Sequence, residues 1–109
     1  MEGLNQMSKF RSVITEVDGI KFHSKLEASY YENLKILKNI KLVDFWLQQV
    51  PFILPGGVKY LCDFLVFYTD GSHKFVDVKG IETNLFKVKK KQVESLYNVK
   101  IEIVKKGDF

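Results

Sequence analysis

Two aspartates and a lysine are the residues here whose types and spacing could do chemistry. Asp63 stands in the apolar run 60–68, Asp77 in the run 74–80, and Lys79 follows Asp77 by two residues. Strands this apolar are normally buried on both faces. A carboxylate taken out of water without a partner costs several kcal/mol or gives up its charge. Each acid therefore needs hydrogen bonds, a lysine or a divalent cation. The reading adopted is a metal site formed by the two acids, with Lys79 beside it. Residues two apart on a strand share a face, so Asp77 and Lys79 project together, with Phe75 in line. Asp63 joins them only in one register. A two-residue loop, Asp70-Gly71, puts Asp63 opposite Val78 and on the wrong face. A three-residue loop, Asp70-Gly71-Ser72, puts it opposite Lys79 and on the same face, with Gly71 supplying a left-handed conformation. The metal reading requires the odd loop or a compensating bulge.

The elements that must position these residues are legible around them. Residues 1–9 lack a clear period and read as a loose tail, and residues 10–109 read as one domain. Asp18-Gly19 between apolar runs predicts a hairpin over 10–22. Ser24, followed three residues later by Glu27, is a capping box that opens a helix ending near Asn39, with Leu26, Tyr30, Leu34 and Leu37 at helical spacing. A strand is expected over 45–49, then an extended segment after Pro51, which cannot donate a ladder hydrogen bond. Pro55-Gly56-Gly57 is a turn. The two acid-bearing strands follow, then a helix over 82–97 and a strand over 99–104. A mixed sheet flanked by helices is the natural packing of this order.

Composition bounds the rest. The chain has 109 residues, 46% hydrophobic, with nine Phe and five Tyr. That is a packed globular chain with one core. The single cysteine, Cys62, makes no intramolecular disulfide and sits in an apolar run, which fits a reducing cytoplasm and a core role. No apolar run approaches the ~20 residues that span a bilayer, so a cytoplasmic protein without a membrane partner is expected. The net charge of +4 is concentrated late: residues 79–106 carry eight lysines and three glutamates. Such a bias suits a polyanionic partner, most commonly nucleic acid, and equally suits a solvated helix face. His23 and His73 have no Cys or His at zinc-ligand spacing.

An acid on one strand, acid-x-lysine on the next and a glutamate on a preceding helix together resemble the PD-(D/E)xK nuclease superfamily. The fuller pattern is residues 19–28, then Gln49-Val50-Pro51-Phe52, Asp63-Phe64 and Asp77-Val78-Lys79-Gly80. It is similar to a small phage-type branch on the scale of Holliday-junction resolvases. Cys62 stands where the superfamily's name has proline. The resemblance implies a restriction-endonuclease-like α/β fold (helix, three strands, helix, strand), in a protein of the host cytoplasm if phage-encoded. It implies a Mg²⁺ ion, with Mn²⁺ as a substitute, held by Asp63 and Asp77, the Val78 carbonyl, and Glu27 directly or through water. Lys79 would position or deprotonate a water or stabilise the transition state, and Gln49 would orient a water or the phosphate. The implied activity is hydrolysis of DNA phosphodiesters, including those of branched recombination or replication intermediates. Lys87, Lys89, Lys90 and Lys91 would contact phosphates, and a homodimer would offer two sites.

Each residue also has a plainer role. Glu27 is explained as the reciprocal partner of the Ser24 cap, and the two roles coexist only if its carboxylate turns inward. Asp77 and Lys79 make a surface cross-strand pair, and Asp63 a core acid on backbone donors. The rival functions are a nucleic-acid-binding module without catalysis and a protein-interaction domain on the same scaffold.

Overall fold

A computed structural model describes residues 13–109; the tail expected over 1–9 lies outside them. The elements in order are β1 (Thr15–Val17), β2 (Ile20–Phe22), α1 (Lys25–Asn39), β3 (Val43–Ile53), a 3₁₀ turn (Pro55–Gly57), β4 (Lys59–Tyr68), β5 (His73–Val78), α2 (Asn84–Tyr97) and β6 (Ile101–Val104). β1 and β2 form a separate antiparallel hairpin, and the main sheet has the order β3-β4-β5-β6. β5 and β6 are parallel and the other pairs antiparallel. The expected mixed α/β sheet, with helix, three strands, helix and strand in that order, is the observed one.

Local chemistry explains the elements. Asp18 and Gly19 both take positive φ, which a two-residue turn matched to strand twist requires. The Ser24 hydroxyl accepts the Glu27 N–H and caps α1. β3 runs unbroken through Pro51, longer than the expected strand, because it is an edge strand and a proline there forfeits no ladder bond. α2 is capped by Thr83, whose hydroxyl accepts the Phe86 N–H.

The β4–β5 loop has three residues, Thr69-Asp70-Gly71, closed by the Tyr68 N–H donating to the Ser72 carbonyl at 2.8 Å. Gly71 sits at φ +91. Ser72 is fastened by its N–H and hydroxyl to the Asp70 carboxylate. The loop is odd, as a shared face requires, but begins one residue before the expected one. The ladder therefore pairs Phe64 with Val76, and its continuation sets Asp63 across from Asp77, not Lys79.

Two apolar clusters flank the sheet. Phe22, Tyr30, Tyr31, Leu34, Val43, Phe64, Val66, Val76 and Val78 pack with α1. Phe52, Tyr60, Cys62, Val93 and Ile101 pack with α2. Cys62 and Phe64 lie two apart on β4, yet in different clusters, and Trp46 and Val50 on β3 divide the same way. Strand periodicity alone would keep each pair on one face. Both strands change face at one level, between the Gln48–Phe64 and Val50–Cys62 pairs. Gln49 and Asp63 are the residues at that level, and Gln49 has φ 53.

Candidate active site

The face switch is what brings the polar groups together. Gln49 is in the left-handed region, uncommon for a non-glycine and costing about 1–3 kcal/mol unless its surroundings hold it. Its Nε2 donates to Glu27 Oε2 and to Asp63 Oδ1, each at 3.2 Å. One amide thus joins a carboxylate from the first turn of α1 to one from β4. Glu27 is 4% exposed and Asp63 9%.

The remaining oxygens of this pair rest on backbone. Glu27 Oε1 accepts the His23 N–H at 2.9 Å. The glutamate thus completes the helix cap one residue earlier than a capping box would, with its carboxylate turned inward. Asp63 Oδ2 accepts the Val78 N–H at 2.9 Å. In return, Asp77 Oδ1 accepts the Asp63 N–H at 2.8 Å. The two aspartates bracket each other at the point where the β4–β5 ladder ends. Val78 enters through its N–H, so the carbonyl implicated by the resemblance is not the atom in this contact.

Asp77, 1% exposed, is turned toward the α2 side. Its other oxygen accepts the Tyr60 hydroxyl. Tyr60 was not among the residues singled out from sequence. The available signal was its type: a buried tyrosine in an apolar strand needs a partner for its O–H. Burial raises the Asp77 pKa; the Asp63 N–H and the charges of Lys79 and Lys90 oppose that. Lys79 lies with Nζ 4.7 Å from the centre of the Phe86 ring, a cation–π contact.

Glu27 carries the electrostatic signature of the site. Burial first, then the neighbouring Asp63 charge, push its pKa up to about 7, against the His23 N–H, which lowers it. Two carboxylates share a pocket with one neutral amide between them, and the His23 N–H and its imidazole, 3.8 Å from Glu27 Oε1, offset their repulsion only in part.

Glu27 Oε2 and Asp63 Oδ1 are hard, charged oxygens that converge on one hydrogen-bond donor, which suits Mg²⁺. Asp77 does not join them in this conformation, because its oxygens are taken by Tyr60 and the Asp63 N–H. Among the described residues no three His, Cys, Asp or Glu side chains gather closely enough to form a three-ligand centre. Glu27 and Asp63 are thus joined by one side-chain donor, whereas Asp63 and Asp77, expected to hold the ion with Glu27 completing the shell, meet through the Asp63 N–H.

The lysines of α2 divide as helical geometry demands. Lys87 and Lys91 are exposed, while Lys89 and Lys90 are half-buried. Lys90 pairs with Glu94 at 3.0 Å. Val93 is the buried residue of α2, and Leu96 is 57% exposed. Cys62 is buried with its thiol pushed up to about 12 by burial, which fits a core role. No helix among the described residues is long and apolar enough to cross a membrane.

Fold and site together define an α/β domain with a mixed four-stranded sheet and a buried carboxylate pair where its central strands part. The chain belongs to the family described as "Protein of unknown function (DUF1064)", which matches residues 7–108. No curated protein matches it.

Proposed function

We propose that this protein is a divalent-metal-dependent endonuclease of the PD-(D/E)xK type, hydrolysing DNA phosphodiesters with Mg²⁺. The observation that carries this reading is the convergence of Glu27 and Asp63 on one amide, beside the strand end that bears Asp77 and Lys79. An arrangement of acids serving stability alone has no need to bring two buried carboxylates onto one neutral amide when the His23 imidazole beside them, 3.8 Å from Glu27 Oε1, is exposed to water. Glu27 and Asp63 would hold the ion. Bound there, it would activate a water and stabilise the charge that develops on the phosphate.

The chain's own groups supply the rest. The His23 and Val78 N–H groups fix the outer oxygens of the pair, so the inner oxygens face inward in a set orientation. Tyr60 and the Asp63 N–H hold Asp77 behind them. Lys79, a cation at the end of β5 resting on an aromatic face, would position the attacking water or neutralise charge on the phosphoryl oxygens. Lys87 and Lys91 are exposed on the helix that follows and would contact phosphates, which position DNA without reading sequence. Branched or structured DNA is the expected substrate class, and a homodimer the expected assembly.

The test is a panel of linear, flapped and four-way DNA with Mg²⁺ or Mn²⁺, with and without chelator. Wild-type protein should cleave at least one substrate, and chelator should stop it. Lys79→Ala should lower the cleavage rate about a hundredfold or more, as loss of a positioned acid–base or electrostatic group does, while DNA binding persists. Salt-sensitive binding without cleavage under any metal would instead identify a nucleic-acid-binding module.

A further inference from the structure

We propose that Gln49 is a displaceable clamp: its amide holds Glu27 and Asp63 together in the ion-free protein and must leave when a divalent cation takes their inner oxygens. This rests on the reading of the carboxylate pair as an ion site.

Three observations carry it. First, the backbone at Gln49 is an outlier, at φ 53 in the middle of an eleven-residue strand. Such a conformation persists only where the surroundings hold it, and it tends to mark functional positions. Second, this conformation coincides with the level at which β3 and β4 change face, and it delivers the side chain between the two carboxylates. Nε2 has two hydrogens, and both are used, at 3.2 Å each. Third, the oxygens that Gln49 holds are not the ones the backbone holds. Glu27 Oε1 and Asp63 Oδ2 are engaged by the His23 and Val78 N–H groups at 2.9 Å. Those contacts can stay in place while the amide departs.

The amide nitrogen and an ion bound to the same two oxygens would occupy the same place. A neutral amide satisfies hydrogen bonding there but leaves the pair's negative charge unbalanced, so the cation is the stronger occupant. A group that stabilises only the ion-free state lowers apparent ion affinity, because that contact is lost on loading. Deleting it should therefore tighten binding. This is opposite in sign to the effect of deleting a residue that ligates the ion or orients its waters.

The experiment is calorimetric titration of Mg²⁺ into chelator-stripped wild type, Gln49→Ala and Gln49→Gly, with thermal melts of the same ion-free proteins. Glycine accommodates the positive φ and guards against a folding defect. Any backbone effect of either substitution is present with and without the ion, so it drops out of the affinity. Both variants should bind Mg²⁺ about tenfold more tightly, the effect of one charge-assisted hydrogen bond lost from the ion-free state. Gln48→Ala, a change at the neighbouring glutamine whose Oε1 accepts from the Trp46 indole, should leave the affinity unaltered. Wild-type binding that is unchanged or weakened in both Gln49 variants overturns the clamp and leaves the ion site standing. Absence of Mg²⁺ binding in all the proteins overturns the ion site and the clamp with it.

Discussion

Asp63→Asn should lose Mg²⁺-dependent cleavage by about a thousandfold or more while remaining folded. Asp63 occupies the centre of the site: its carboxylate meets Gln49, the Val78 N–H and, through the shared amide, Glu27. Asparagine keeps an oxygen that can accept from Val78, so the bracket between β4 and β5 survives. It removes the negative charge that would bind a cation, and several kcal/mol of charge stabilisation in the transition state goes with it. It also relieves the repulsion on Glu27. The lost Gln49 contact and the relieved repulsion offset one another, so the variant should stay folded at neutral pH in chelator, where an acid of purely structural role would leave it unfolded. Cleavage rate and a circular-dichroism melt decide between the two. An active variant removes Asp63 from the chemistry, and an inactive variant that is also unfolded returns the acid to a structural role.

Glu27→Gln should raise the stability of the ion-free protein near pH 8 by about 2 kcal/mol and flatten its pH dependence between about pH 5 and 7.5. The sign follows from the direction of the shift. The Glu27 pKa rises from 4.5 unfolded to about 7 folded, so across that window the folded state holds a proton that the unfolded state has released. Stability from this group is full below pH 4.5 and is lost as pH climbs through about 7. At about 1.36 kcal/mol per pKa unit the whole displacement weighs roughly 3 kcal/mol, and screening by nearby water reduces the expectation to about 2. The groups facing Glu27 are Asp63 from β4, Gln49 from β3, and the His23 N–H and imidazole ahead of α1, the imidazole 3.8 Å from Oε1. Asp18, Asp70, Glu82 and Glu94 have lowered values. Their contributions vanish only in acid, below the window. Urea unfolding at pH 5, 6, 7 and 8 in chelator measures the slope. A wild-type stability that does not fall across the window would contradict the raised Glu27 value.

Local signals in the sequence are legible because their causes are local. Asp18-Gly19 has its turn geometry, and Ser24 has its cap, within four residues of themselves. The odd parity of the β4–β5 loop came from requiring Asp63 and Asp77 to share a face, since the loop residues themselves allow two or three. The loop's start was not legible, because Asp70 fastening Ser72 shifts the closure to Tyr68–Ser72. What escaped were contacts between elements distant in the chain. The link from Gln49 to Glu27 spans 22 residues and depends on a backbone conformation that glutamine does not advertise. The Tyr60–Asp77 contact spans 17 residues and turns Asp77 toward α2. Periodicity could place Glu27 on the first turn of α1, but not show that its carboxylate would meet Asp63 rather than Asp77.

Diffraction from crystals soaked in Mn²⁺, recorded for its anomalous signal, tests the carboxylate pair as a cation site most directly. The expected result is one strong peak bonded to the inner oxygens of Glu27 and Asp63, with the Gln49 amide swung away. A map without a peak there, and with Gln49 still bridging the two acids, would contradict the account.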